Sequence, residues 1–161
     1  MTSPLVQALL APEFALHLAA GGVAAAGFGV LFNFAPRSLL WCLAMGVLAV
    51  GVRKIALSSG LALEGASLLA GIAVGVAVQI PHRKLGLTRA ALAVAGCIPL
   101  VPGGFIARAI IGLFTLTTRP PDPAFVAVVL HDFLAAVFTL AALGVGVSLS
   151  LQVFRRRGLD L

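Results

Sequence analysis

The sequence predicts an all-α membrane protein with about five transmembrane helices, the fourth broken at Pro99-Gly104. Hydrophobic residues make up 61% of the 161 residues and charged residues only 10%, too few for the surface of a water-soluble domain. The apolar residues fall into long segments, each near the roughly 20 residues that cross a bilayer. Basic residues cluster between these segments, as they do in cytoplasmic loops.

Five apolar segments follow one another, separated by short connectors. They lie at about 13–34, 38–58, 62–81, 88–118 and 124–152. One domain over residues 1–161 is the natural count for a chain of this length. The first basic residue, Arg37, comes after the first segment, so that segment is interpreted as a membrane helix and not as a cleavable signal peptide.

The positions of the basic residues predict the orientation. With the N-terminus outside and the C-terminus in the cytoplasm, the cytoplasmic side receives all three basic groups. They are Arg37, the loop with Arg83, Lys84 and Arg89, and the tail Arg155, Arg156 and Arg157. The same pattern explains the net charge of +6 without nucleic-acid binding, because the charges flank membrane segments.

The fourth segment is the most informative part of the chain. Its 31 residues would form a straight helix about 46 Å long, too long for a simple span. Pro99 and Pro102 remove amide donors and Gly103 and Gly104 loosen the helix, which is costly where water is absent. Two alternatives remain, a broken spanning helix and a re-entrant hairpin. The hairpin would send the basic tail outside, so we favour the broken helix.

The break is the predicted substrate site, formed by Pro99, Pro102, Gly103, Gly104 and Arg108. Arg108 lies one turn into the second half-helix, whose N-terminus exposes unpaired amides and a partial positive charge. Amides and a guanidinium together suit a carboxylate. The alternative is that Arg108 pairs with an acidic residue or extends toward a membrane surface.

Three further charged positions are candidates. Adjacent residues on a helix point about 100° apart, so only one of Arg53 and Lys54 is expected to face inward, and we favour Arg53 as a second substrate contact. Asp132, with His131 beside it, is the only acidic residue deep in an apolar segment. Two interpretations remain open: Asp132 and His131 carry a coupling proton, or Asp132 neutralises Arg53 or Arg108.

Other kinds of function find no support. The chain has no His-Glu-x-x-His or Gly-x-Ser-x-Gly motif, so we expect no enzyme, and the histidines lack metal-ligand spacing. We expect no cofactor and no bound metal. Cys42 and Cys97 are interpreted as small core residues. The Gly71-x-x-x-Gly75 spacing permits close helix approach or self-association.

An ordered set of short motifs resembles the threonine/serine exporter family, specifically its C-terminal membrane half in the split, two-subunit form. The set covers nearly the whole chain. It consists of Gly27-Phe28 with Phe32-Asn33, Pro36-Arg37 to Trp41-Cys42, Ser59-Gly60-Leu61 with Glu64, Ile98-Pro99 with Pro102-Gly103, and Asp132-Phe133-Leu134.

The resemblance implies a subunit of a bacterial inner-membrane exporter of small carboxylate-bearing metabolites, namely threonine and serine or succinate-type dicarboxylates. It also implies a larger partner subunit with the other membrane half, and further copies of this chain. Two positions depart from the family. Members often carry asparagine at the Asp132 position, and a polar residue can precede the Arg53 position where this chain has Ala49-Val50.

Two rival interpretations belong to other classes. One is a non-transporting assembly or scaffold subunit, and the other is a channel-like pore without coupling to pH. A nucleotide-driven pump is not expected, because the chain has no Gly-x-x-x-x-Gly-Lys-Ser/Thr loop. An ion gradient is therefore the expected driving force for export.

Overall fold

The structure, a computed structural model, describes residues 12–80, 88–118 and 122–156, and contains no strand within these ranges. The helices are α1 (Pro12–Leu31), α2 (Pro36–Ser58), α3 (Leu63–Ala77), α4 (Arg89–Cys97), α5 (Gly103–Thr118) and α6 (Pro123–Arg156), with a 3₁₀ turn (Ile98–Leu100) after α4. The predicted all-α membrane class is confirmed. The basic loop with Arg83 and Lys84 lies outside the described residues, as do Arg119, Arg157 and the side chains of Arg155 and Arg156.

Three described helices, α1, α2 and α6, are long and apolar enough to cross a membrane. Taken together, α4 and α5 are also long and apolar enough to cross a membrane as one span, and they are bent by 66° at the break. The third predicted span is shorter than expected, because α3 has 15 residues and ends at Ala77. At 1.5 Å per residue it is about 22 Å long, less than the roughly 30 Å of a hydrocarbon core. The count of five spans stays a prediction.

The bend explains how the long fourth segment fits a bilayer. The 16 residues of α5 form a helix about 24 Å long, but at 66° to α4 it advances only about 10 Å along the α4 direction. The whole segment then advances roughly 30 Å, close to the thickness of a hydrocarbon core. The predicted break in the fourth segment is therefore confirmed.

Helices α1 and α2 each end in a Schellman motif, in which one residue with positive φ closes the helix. Asn33 has φ 58° after α1, and its neighbour Phe34 donates its amide to the Gly29 carbonyl at 3.0 Å. Gly60 has φ 89° after α2, and Leu61 donates to the Ala56 carbonyl at 3.2 Å. These motifs keep both connectors short.

The buried core lies where α2, α3, α4 and α6 meet, around side chains such as Cys42, Val74, Leu92 and Leu143. Glycines bring the backbones close. A Cβ on Gly71 would lie 2.8 Å from the Leu143 carbonyl oxygen, and one on Gly146 would lie 2.5 Å from the Leu68 carbonyl oxygen. We call this contact between α3 and α6 the glycine seam.

The direction of α6 distinguishes the two predicted paths for the fourth segment. Along the glycine seam, Gly71 lies beside Leu143 and Gly75 beside Ser150, so α3 and α6 run parallel. A spanning α4–α5 pair requires this direction, whereas a re-entrant hairpin would make α6 antiparallel to α3. The C-terminal ends of α3 and α6 therefore lie at one end of the bundle. This agrees with the predicted placement of the basic loop and tail, while the orientation in the membrane stays a prediction.

Candidate functional site

The break between α4 and α5 satisfies most of its own backbone through short turns. Val101 donates its amide to the Ile98 carbonyl at 3.0 Å, and Gly103 donates to the Val101 carbonyl at 2.8 Å. Pro102 is buried and has no amide, and its carbonyl accepts from Ile106 at 3.1 Å. Helix geometry leaves the amides of the following residues at the start of α5 pointing outward.

Arg53 supplies a hydrogen bond that the break itself lacks. Its Nη1 donates to the Leu100 carbonyl oxygen at 2.6 Å, at the C-terminal end of the first half-helix. A carbonyl at that end has no partner within its helix and carries partial negative charge, so a guanidinium stabilises it where water is scarce. Arg53 therefore turns inward, as the sequence predicted, and ties α2 to the break.

A cleft opens between α1, α2 and the break, and we call it the α1–α2 cleft. Its volume is about 440 Å³, and its lining includes Val50, Arg53 and Leu57 from α2 and Pro99 from the break. Two further polar residues, His17 and Lys54, also line it. Arg53 lies five residues before the end of α2, about 7–8 Å from that end of the helix, and its side chain reaches Leu100 of the break.

Replacing Arg53 with glutamine is expected to destabilise the fold by about 1–3 kcal/mol, because the Leu100 carbonyl loses a charge-assisted hydrogen bond. Thermal unfolding of the purified protein in detergent measures the effect. Lys54→Gln is the matched control on the neighbouring residue, since Lys54 has a longer-range contact, its Nζ lying 5.9 Å from the centre of the Phe14 ring. Equal stability of the two variants would contradict a capping role for Arg53.

Arg108 and Asp132 form a bidentate ion pair between α5 and α6. Arg108 Nε donates to Asp132 Oδ2 at 2.7 Å, and Nη2 donates to Oδ1 at 3.2 Å. Asp132 is buried, whereas the Arg108 side chain is 59% exposed. Val129 packs directly on Gly112 and holds the two helices together beside the pair. The sequence left two partners for Asp132, and the structure places it on Arg108.

The third guanidinium nitrogen of Arg108 faces the start of α5. Nη1 lies 3.9 Å from the position that a Cβ on Gly104 would occupy, and the guanidinium carbon is 4.7 Å from the centre of the Phe105 ring. Gly103 and Gly104 are exposed. His131 approaches from α6, with its ring centroid 6.4 Å from that of Phe105 in an edge-on arrangement. Phe105 thus joins Arg108 and His131, a role that the sequence reasoning missed.

A second cleft lies beside this ion pair, and we call it the α5–α6 cleft. Its volume is about 470 Å³, and Arg108, Asp132, Thr115 and Thr118 supply its polar lining. The predicted site residues therefore divide into two groups. Arg53 and Pro99 line the α1–α2 cleft, while Arg108 and Asp132 line the α5–α6 cleft, with Gly104 beside Arg108.

The sequence reasoning also passed over His17, and it placed only one of Arg53 and Lys54 inward. Lys54 was expected to extend toward the surface because its neighbour Arg53 was favoured inward, but the α1–α2 cleft is wide enough for both. Their positions in the sequence could have indicated the cleft. Arg53 and Lys54 lie close to the end of the second apolar segment, and His17 lies close to the start of the first, so a pair of antiparallel helices places them at the same end. A helix-wheel argument for α2 alone does not capture this pairing.

Several apolar helices and an ion pair beside a broken helix are typical of multi-pass membrane transport proteins, in which such breaks form substrate sites. Residues 17–153 match the family described as Threonine/Serine exporter, ThrE. The chain belongs to this family, which confirms the resemblance to the threonine/serine exporters. The split, two-subunit form stays a prediction. No solved structure matches the chain.

Proposed function

We propose that the chain is the membrane subunit of a secondary exporter of small carboxylate-bearing metabolites, working with a larger partner subunit in a bacterial inner membrane. The substrates are threonine and serine or succinate-type dicarboxylates. The observation that supports this proposal most directly is the exposure of Arg108. Its side chain is 59% exposed although it lies in a helix of the apolar α4–α5 pair.

The surroundings of Arg108 suit a carboxylate. Asp132 engages Nε and Nη2, which leaves Nη1 directed toward Gly104 and the outward amides at the start of α5. A carboxylate between Nη1 and these amides receives donors from two sources. In this proposal Gly103 and Gly104 admit the carboxylate and Pro99 and Pro102 maintain the break. Arg53 is a second cationic contact at a separate position, in the α1–α2 cleft, and is not a ligand of the carboxylate that Arg108 holds.

Asp132 balances the charge of Arg108 when no substrate is bound. An unpaired arginine in the centre of a membrane helix costs about 3 kcal/mol on insertion scales, and the ion pair offsets this cost. A substrate carboxylate competes with Asp132 for the guanidinium. Displaced Asp132 then takes up a proton, with His131 on the adjacent position of α6 as the nearby titratable group.

The same exposed surface supports the proposal of a partner subunit. Arg108, Thr115 and Thr118 line an open cleft on the α5–α6 side, next to exposed apolar side chains such as Phe114. Lipid chains do not solvate a guanidinium, so this side faces a polar cavity or another protein. The other membrane half of the transporter, carried by the partner, encloses such a cavity. Further copies of this chain complete the assembly.

Efflux of labelled threonine, serine and succinate from proteoliposomes tests the proposal, with this chain alone and together with the larger subunit. We expect the pair to export at least one substrate and the chain alone to give background flux. Export should respond to an imposed pH gradient or membrane potential. No flux from a correctly assembled pair would favour the scaffold interpretation, and flux that ignores both gradients would favour a channel-like pore.

A further inference from the structure

The α1–α2 cleft places two cations of α2 beside the break. Arg53 and Lys54 come from α2 and His17 from α1, and the cleft's lining includes no acidic side chain. Among the described residues, neither Arg53 nor Lys54 lies within ion-pair distance of a carboxylate. The ion pair found among those residues joins Asp132 to Arg108, beside the α5–α6 cleft. Within the part of the chain that the structure describes, the cleft therefore carries two cations that no acidic side chain neutralises.

The contacts that these cations do make are with neutral groups. Arg53 donates one N–H to the Leu100 carbonyl, and Lys54 Nζ lies 5.9 Å from the centre of the Phe14 ring. Arg53 keeps Nε and Nη2 for another acceptor, and the Lys54 ammonium has three donors. Two such cations within a membrane segment are costly, and a bound anion would offset that cost.

His17 completes the polar side of the cleft. Its Nδ1 donates to the Glu13 carbonyl oxygen one turn earlier in α1, which orients the ring and leaves Nε2 as the second ring nitrogen. Apolar side chains, including Val50 and Leu57, form the rest of the wall. The volume of about 440 Å³ is ample for a carboxylate or phosphate group on a short carbon skeleton.

We propose that the α1–α2 cleft is an anion-binding site in its own right, in which Lys54 joins Arg53 to hold a carboxylate or phosphate group and His17 forms part of the polar wall. This assignment goes beyond the proposed transport function and does not depend on flux. The anion has two sources, a soluble metabolite or the headgroup of an anionic lipid. The second source arises because Arg53 lies only about 7–8 Å from the end of α2.

Binding to the full chain tests the site in nanodiscs made of phosphatidylcholine alone. Isothermal titration calorimetry with succinate and with inorganic phosphate measures the soluble source. Native mass spectrometry after reconstitution with phosphatidylglycerol measures retention of the anionic lipid. The variants are Lys54→Gln, His17→Gln and the charge-conserving Lys54→Arg. The matched control is Arg37→Gln, an exposed cation at the opposite end of α2.

We expect Lys54→Gln to weaken anion binding about tenfold and His17→Gln to weaken it by a smaller factor, while Lys54→Arg retains binding and Arg37→Gln stays within about twofold. A loss confined to the calorimetry identifies a soluble anion, and a loss confined to lipid retention identifies a headgroup. Unchanged binding in both arms for Lys54→Gln, or an equal loss in Arg37→Gln, would overturn the assignment. Intact binding here with failed export in the flux assay would refute the transport proposal alone.

Discussion

Replacing Arg108 with glutamine is expected to reduce carboxylate export by about a hundredfold or more, because the substrate loses its charged, hydrogen-bonding partner. Glutamine keeps much of the length and polarity of arginine but cannot form the bidentate pair with Asp132. Efflux from proteoliposomes measures the loss. Arg37→Gln, which removes an exposed cation that lines neither cleft, should export normally.

A double substitution separates substrate binding from charge balance. Arg108→Gln alone leaves the buried Asp132 without its ion-pair partner, so export could fail through a damaged fold. Adding Asp132→Asn removes that unpaired charge. If Arg108 binds substrate, the double variant assembles with its partner and still does not export. Recovery of export in the double variant would show that Arg108 serves only to neutralise Asp132.

Replacing Gly146 with alanine is expected to destabilise the protein by about 2–3 kcal/mol through overpacking of the glycine seam. The new Cβ would lie 2.5 Å from the Leu68 carbonyl oxygen and 3.0 Å from the Ile72 amide nitrogen. Both are backbone atoms, which cannot move aside as a flexible side chain does. Thermal unfolding in detergent measures the change.

Gly144 provides a control on the same helix. A Cβ at Gly144 meets nothing within 4 Å, so Gly144→Ala should leave stability unchanged or raise it by up to about 1 kcal/mol, through the better helix propensity of alanine. We therefore expect Gly146→Ala to lower the stability and Gly144→Ala to leave it unchanged or raise it, although the two positions are only two residues apart. Equal behaviour would mean that α3 and α6 do not approach as closely as described.

The sequence predicted the break and the boundaries of most helices because those features are local. Pro99, Pro102 and two glycines interrupt an apolar run, and a bilayer sets the length that each span needs. The third span was overestimated for a local reason that the sequence also holds. Pro81 disfavours helical backbone at Ile80, and α3 indeed ends a few residues earlier, at Ala77.

The grouping of the charged residues could not be predicted in the same way. Arg108 and Asp132 are 24 residues apart, and their pairing depends on how closely α5 approaches α6 at Gly112 and Val129. Hydropathy and charge patterns are the same whether Asp132 neutralises Arg53 or Arg108. The α1–α2 cleft likewise depends on the bend at the break, which brings Leu100 to Arg53.

The length of α6 has a mechanical consequence. It is a single helix of 34 residues, about 51 Å long, with no proline after Pro123. The N-terminal third of α6 packs against α5 around Asp132. The C-terminal third packs against α3 at Gly146, about 21 Å farther along the helix. A rotation of α5 that keeps its contacts with α6 must therefore tilt α6 as a rigid body. The close backbone contact with α3 at the glycine seam transmits this tilt to α3.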